Sequence, residues 1–407
     1  MRPIVHISVT VLSCILPSLG SAASAQTEPT LARSSILPNH AGIDFATFFG
    51  SIAPTGPGCV AGVAITGAPT RIAAYGQADL EHPDPLTAAT VFETGSLAKQ
   101  FTASALLLLS QDGKLSLDDD IRRYLPEIPD YGSPITVRHL LTHTSGLREQ
   151  WSLLALTGNQ PGTQVHGHAT ILDLMSRQKG VNFTPGSEFL YTNTNYTLAA
   201  MIIARVSGQS LQQFTDQRLF QPLGMSHTRW REDFRTIVPG RASAFEPDDT
   251  GFVASMPFTN VVGNGGLLTT VVDLLRWNAF LDNPFELPGG AALVAALETP
   301  GHLNNGAPLE YGLGLEVTSN HGRRWLSHSG STGGYKTWLG RVPSEGISVA
   351  LMCNNREVDP VEMGERLAEQ ALLATGNATA KAATSAPNGI VKPKAPTTAS
   401  WRPLKVS

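Results

Sequence analysis

The chain has 407 residues, of which 42% are hydrophobic, and a formal net charge of −4. That length can bury a large core and has room for more than one lobe. The slight negative balance and the lack of any basic run argue against a nucleic-acid partner, and no segment after the first 25 residues is long and apolar enough to cross a bilayer.

Residues 1–25 read as a secretory signal peptide. Arg2 supplies the positive start, Ile7 to Leu19 the apolar region, and Ala23-Ser24-Ala25 a cleavage site. The expected location is therefore secreted or periplasmic. Of three cysteines, only Cys59 and Cys353 lie beyond this segment. Two cysteines are not a disulfide framework. Both fall in expected strands near the two ends of the domain; they pair if those strands are neighbours and are buried thiols otherwise.

Ala41 to Ser51 reads as a short helical segment. Cys59 to Ile65 and Thr70 to Tyr75 read as two strands joined at Gly67-Ala68-Pro69. Next comes Glu93 to Gly113, a polar turn followed by a helix with apolar residues on every side, among them Leu97, Phe101 and Leu106 to Leu109. A helix apolar all round is a buried helix. Its first turn carries Ser96 and Lys99, three apart and so on one face. A hydroxyl needs a neighbouring base to act as a nucleophile, and burial keeps an amine partly neutral. Ser-x-x-Lys arises about once or twice by chance in a chain this long. A second copy, Ser176-Arg-Gln-Lys179, ends a helix in a polar context, where the dipole has the wrong sign for an oxyanion.

Further on, Thr136 caps a helix to about His143, and helices are expected over Thr170–Lys179, Tyr196–Val206, Leu211–Leu219 and Thr270–Leu281. Strands return at Leu313–Val317, Arg324–Ser327, Tyr335–Arg341 and Ile347–Cys353. Val361 to Ala374 closes the domain as an amphipathic helix, and residues 375–407 read as a disordered tail. Strands at both ends and helices between them predict an α+β fold. One antiparallel sheet, flanked by helices, would be built from 41–90 and 305–374, with an all-helical lobe inserted over 91–304.

Three further clusters carry candidate chemistry. Pro185 to Tyr196 is a polar loop in which Tyr191 and Asn193 share a face. A tyrosine relays a proton if a nearby cation lowers its pKa, and an asparagine amide bridges an amine and a substrate; capping of the next helix explains the same loop without chemistry. His328-Ser329-Gly330-Ser331 follows a strand, and its glycines let a substrate lie against free N–H donors, with His328 as a contact for a polar or anionic group; a loose hairpin is the plainer alternative. His139/His143 and His166/His168 have spacings that hint at zinc, but no HExxH or carboxylate cluster accompanies them. No G-x-S-x-G occurs, which argues against an α/β-hydrolase elbow.

Ser96-Leu-Ala-Lys99, Tyr191-Thr-Asn193 and His328-Ser-Gly330, in that order, resemble the motifs of the serine β-lactamase and penicillin-binding protein superfamily, most closely its class C β-lactamase-related hydrolases. Ile135 to Leu147, Leu219 to Met225, Gly265 to Thr270 and Tyr311 to Gly314 look like the same family. The resemblance implies an acyl-enzyme on Ser96, with Lys99 as proton acceptor and Tyr191 as general base. It also implies Asn193, His328, Gly330 and Ser331 around the substrate, and an oxyanion hole from the N–H groups of Ser96 and Ser331. No metal or cofactor is implied. The departure is His328, where β-lactamases place the lysine of Lys-Thr-Gly; a histidine is only partly charged at neutral pH. The expected function is therefore an exported serine hydrolase acting on a small-molecule or peptide amide or ester: a β-lactam, a D-amino acid peptide or a small ester. A ligand-trapping or sensing protein of the same fold, and a metallohydrolase using the histidine pairs, are the competing readings.

Overall fold

The structure is a computed structural model that describes residues 43–159, 162–249 and 251–375. Residues 1–42, which include the expected signal peptide, and residues 376–407, within the expected tail, lie outside the described residues. Six strands form the main sheet: β1 Cys59–Ile65, β2 Arg71–Tyr75, β3 Glu316–Asn320, β4 Arg323–Thr332, β5 Tyr335–Val342 and β6 Ile347–Cys353. Their order is β3-β4-β5-β6-β1-β2, and every neighbouring pair is antiparallel. The sheet is thus closed by joining the two ends of the chain along β1 and β6.

Side chains alternate between the two faces of a strand, and here both faces are covered. Trp325, Trp338, Val349 and Leu351 pack on one side against Leu367, Ala368 and Ala371 of the helix Pro360–Ala374. Leu326, Leu339, Ala350 and Met352 point the other way into a larger cluster that contains the helices of the inserted segment. Double coverage explains why β6 is buried at all seven positions, and why it reads as one continuous apolar run.

Cys59 and Cys353 face each other in the β1–β6 register and form a disulfide. The pairing follows from strand adjacency, which sequence spacing alone left open.

At the centre of the larger cluster lies helix α1, Ala98–Gln111, with its first twelve residues buried. Phe101 packs on Trp277 at 4.7 Å and Phe220 at 5.7 Å between ring centroids. Helices α2 Val137–Leu141 and α3 Gln150–Leu156 pack on α4 Asn193–Ser207, which packs on α1, and α5 Val271–Asp282 reaches α1 through Trp277. The Thr136 and Thr270 caps are both made, through His139 N–H and Asp273 N–H.

The inserted segment is mostly helical but also holds short strands. Phe92–Glu93, Leu267–Thr269 and Arg229–Trp230 form a three-stranded sheet, and Phe245–Asp248 pairs with Gly251–Ala254. Runs of two to four residues are too short for periodicity to reveal. The helices Gln150–Leu156 and Gly290–Glu298 are also additional; both are apolar stretches without a polar face, so their period is hidden. The strand expected at Leu313–Val317 lies three residues later, and the helix expected over Leu211–Leu219 stops at Thr215 and continues as a wider turn over Asp216–Phe220.

The largest difference is β4. It does not stop at Ser327 but runs through His328, Ser329, Gly330 and Ser331 to Thr332, paired to β5 throughout. The Gly-rich stretch is therefore regular strand rather than a hairpin loop. It crosses the 3-10 turn Gly95–Leu97 that leads into α1. Two glycines permit that crossing. Gly95 has φ +56°, and a Cβ on it would stand 2.6 Å from Ser331 N; a Cβ on Gly330 would overlap the Thr94 carbonyl and the Thr337 hydroxyl. Thr337 Oγ1 donates to Thr94 O at 2.7 Å and ties β5 to the same turn.

Gly330→Ala should therefore cost about 2 kcal/mol or more of unfolding free energy, from overpacking against backbone that cannot swing away. Gly67→Ala, at an open turn with φ +81°, should cost about 1 kcal/mol. Denaturant titration of the two variants compares them, and equal losses would contradict the close-crossing account.

Candidate active site

Ser96 is the middle residue of the 3-10 turn and is half-buried, in a stretch whose neighbours are fully buried. The strand before it is fixed by charge. Glu93, 1% exposed, accepts from Arg231 and Arg241, each at 3.0 Å. A buried carboxylate with two guanidinium partners resists movement, because breaking such a pair strands a charge in the core.

One turn into α1, the fully buried Lys99 reaches three oxygens. Its Nζ lies 3.0 Å from Ser96 Oγ, 3.0 Å from Asn193 Oδ1 and 2.8 Å from the Asn264 carbonyl. Burial lowers its pKa from 10.5 to about 7, and the Glu149 carboxylate pulls the other way without prevailing. A neutral amine has two N–H groups and one lone pair. Asn193 Oδ1 and Asn264 O can only accept, so both N–H groups are committed to them. The lone pair then faces Ser96, the one partner with a proton to give. The hydroxyl and the amine are thus aligned for proton transfer.

Tyr191 and Asn193 arrive together at the start of α4. The Tyr191 ring centroid is 4.8 Å from Lys99 Nζ, and its phenol is in hydrogen-bonding reach of Ser96. Tyr191 retains some exposure, but enclosure of the phenol raises its pKa, and the Ser96 hydrogen bond opposes this without prevailing. The expectation that a cation would lower it is overturned: desolvation dominates, and the Glu149 and Glu316 carboxylates push the same way. Tyr191 is a phenol that can relay a proton, not a standing phenolate.

His328 differs from expectation in a similar way. It is buried; Nδ1 lies 2.6 Å from the Ser329 carbonyl and Nε2 lies 3.1 Å from the Tyr311 hydroxyl. A carbonyl only accepts, so Nδ1 carries the hydrogen and Nε2 accepts from Tyr311. Burial lowers the ring's pKa to about 4, helped by the charge on Lys99. At neutral pH it is uncharged, with both nitrogens engaged inside the protein. It is not the partly charged contact for an anion that its motif position suggested. Gly330 and the exposed Ser331 lie over Gly95 and Ser96 along β4, so the Ser96 and Ser331 amides come from adjacent stretches of backbone.

Of the remaining candidates His143 adjoins this group through Tyr191, while Ser176, Lys179, His139 and His168 do not. Ser176 donates to Asp173 O at the end of its helix, and Lys179 is exposed. His139 accepts from Thr136 N–H in a capping box, while His168 Nε2 sits against Val262. His143 is packed among Tyr191, Tyr196 and Tyr311 and has φ +57°. Among the described residues no group of three or more His, Cys, Asp or Glu could hold a metal ion. Two site residues escaped the motif reading: Asn264, which acts through its backbone carbonyl, and Tyr311, which holds His328. Glu149, whose place after the helix ending in Gly146 fits either the cleft or a surface loop, contacts Asn193. Asn264 lies in Gly263-Asn-Gly-Gly266, a turn signal that marks a bend but not a ligand.

The family model for Beta-lactamase matches residues 53–373. The D-aminopeptidase of Brucella anthropi is 30% identical over 300 residues, which is 74% of this chain and 56% of that protein. The chain spans about half the length of the curated relatives it matches. The octameric penicillin-binding protein homologue from Pyrococcus abyssi superposes with a TM-score of 0.68 at 27% identity, covering 81% of this chain and 75% of that one. The D-amino acid amidase from Ochrobactrum anthropi SV3, in complex with L-phenylalanine, superposes with a TM-score of 0.65 at 25% identity, covering 79% and 94%. The chain belongs to the Beta-lactamase family, within the serine β-lactamase and penicillin-binding protein superfamily.

Proposed function

We propose that this chain is a serine hydrolase that forms an acyl-enzyme on Ser96 and takes amides of D-amino acids bearing a free α-ammonium. The observation that carries the chemistry is the 3.0 Å contact between Ser96 Oγ and a buried Lys99 whose pKa is about 7. In acylation, Ser96 Oγ bonds to the substrate carbonyl carbon, and its proton passes to Lys99 Nζ directly or through the Tyr191 phenol. The Ser96 and Ser331 N–H groups hold the oxyanion. Collapse breaks the C–N bond, and the departing amine takes the proton back from Lys99. Water then repeats the sequence against the ester, restoring Ser96 and releasing the acid.

Charge supports the substrate class. A neutral His328 offers no cation to a substrate carboxylate. Both charged groups that act on the Tyr191 phenol are carboxylates, Glu149 and Glu316. Such a cleft favours an ammonium over a carboxylate, which sets it apart from one built for penicillins. The D preference rests on likeness to the D-aminopeptidase of Brucella anthropi and the D-amino acid amidase of Ochrobactrum anthropi.

Export is part of the same proposal. The Cys59–Cys353 bond supports it, since disulfides persist in oxidising compartments.

Incubation with a fluorophosphonate should place one adduct on Ser96, located by mass spectrometry. Ser96→Ala should lower turnover of a D-amino acid amide by about a thousandfold or more. An adduct elsewhere, or unchanged turnover, would reject the mechanism. Faster turnover of a chromogenic cephalosporin, or of the N-acetylated amide, would reject the substrate class. Protein recovered from the producing cell should begin at Gln26 by N-terminal sequencing, and a retained residue 1–25 segment on the soluble enzyme would reject export.

A further inference from the structure

Glu149 lies between α2 and α3 and takes no part in the steps above, yet its carboxylate receives four donors. Oε1 accepts from Trp151 N–H at 3.3 Å, which caps α3, and from Asn193 Nδ2 at 3.3 Å. Oε2 accepts from Asn193 N–H at 2.6 Å and from Thr192 Oγ1 at 2.8 Å. Three of the four donors belong to Thr192 and Asn193, the residues that follow Tyr191. From the other side, His143 Nδ1 accepts from Thr192 N–H at 3.3 Å.

The Asn193 side chain shows the consequence. Its amide has one donor end and one acceptor end. The donor end faces Glu149, so the acceptor end, Oδ1, faces Lys99 at 3.0 Å. A carboxylate cannot donate, so the reversed amide would set oxygen against oxygen at Glu149. It would also aim an N–H at Lys99, where an acceptor is needed to keep the amine's own N–H groups turned away from Ser96.

We propose that Glu149 is a positioning residue: by locking the Asn193 amide with Oδ1 toward Lys99, it keeps the lysine lone pair on Ser96. This rests on the acyl-enzyme reading of Ser96. Glu149 also acts on Lys99 through its charge, holding the amine's pKa above where burial alone would leave it. The other titratable groups facing Lys99 are Tyr191, Tyr196, His143 and His328. The two histidines have pKa values well below neutral, so neither masks a change at Glu149.

The test is the rate of Ser96 labelling by a fluorophosphonate against pH, in the full-length protein and in Glu149→Ala, Glu149→Gln, Asn193→Ala and Glu149→Ala/Asn193→Ala. On the alkaline plateau Glu149→Ala should label about tenfold more slowly or worse. The double variant should be within about twofold of Asn193→Ala alone, because Glu149 acts through Asn193. The rising limb should move to lower pH in both Glu149 variants, since removing a negative charge favours the neutral amine. Glu149→Gln keeps an oxygen for the Trp151 cap, so it carries the test if the alanine variant does not fold. Labelling at the wild-type rate with an unmoved limb would overturn the proposal, as would losses that multiply in the double variant. No labelling of Ser96 in the unaltered protein would instead bring down the acyl-enzyme reading, and this inference with it.

Discussion

The site depends on one unfavourable placement: an amine with no water. Taking an ammonium into a protein interior costs several kcal/mol even after relaxation, and among the described residues no carboxylate forms an ion pair with Lys99 to offset it. Around Lys99 lie a hydroxyl, an amide oxygen, a backbone carbonyl and two aromatic rings. The Glu149 carboxylate acts on it through space and is outweighed by desolvation. The fold therefore supplies a base by withholding solvent, and a helix apolar on every side is the means. The same burial keeps Tyr191 protonated and His328 neutral. Three titratable groups take their states from one cause.

The remaining architecture brings distant backbone to that base. Strand β4 comes from near the end of the chain and the 3-10 turn from its first quarter. They meet because the sheet joins β1 to β6, with the Cys59–Cys353 bond across that seam. Gly95 and Gly330 then let two main chains approach with no side chain between them. A similar economy holds on the helical side, where Asn264 contributes a carbonyl and Glu149 a clamp, each to groups placed by α1 and α4.

Much of this was legible in the sequence, for definable reasons. Ser96 and Lys99 stood out because their helix is apolar all round, which distinguishes it from the second Ser-x-x-Lys at Ser176. The centre of the sheet was legible because β1 and β6 are almost wholly apolar. What the sequence hid is long-range or made of backbone. Glu149 meets Asn193 across 44 residues; its place after the helix ending in Gly146 offers it to the cleft but does not reveal its partner. Asn264 acts through an atom every residue has. The cysteines pair because two strands are adjacent, a fact of topology. The His328 segment misled because glycine and serine suggest a loop, whereas here glycine marks a crossing point within a strand. The charge states of Tyr191 and His328 depend on how thoroughly the neighbouring rings exclude water, which composition does not encode.

The central claim is that Lys99 is a partly neutral amine at physiological pH. It is tested most directly by following the Lys99 side-chain carbon next to the amine by NMR across a pH titration, with Lys99→Met to assign the signal. The account predicts a midpoint near pH 7, as burial dictates. A midpoint near the ordinary lysine value of about 10.4 would contradict it, since Ser96 would then face an ammonium with no lone pair to receive its proton.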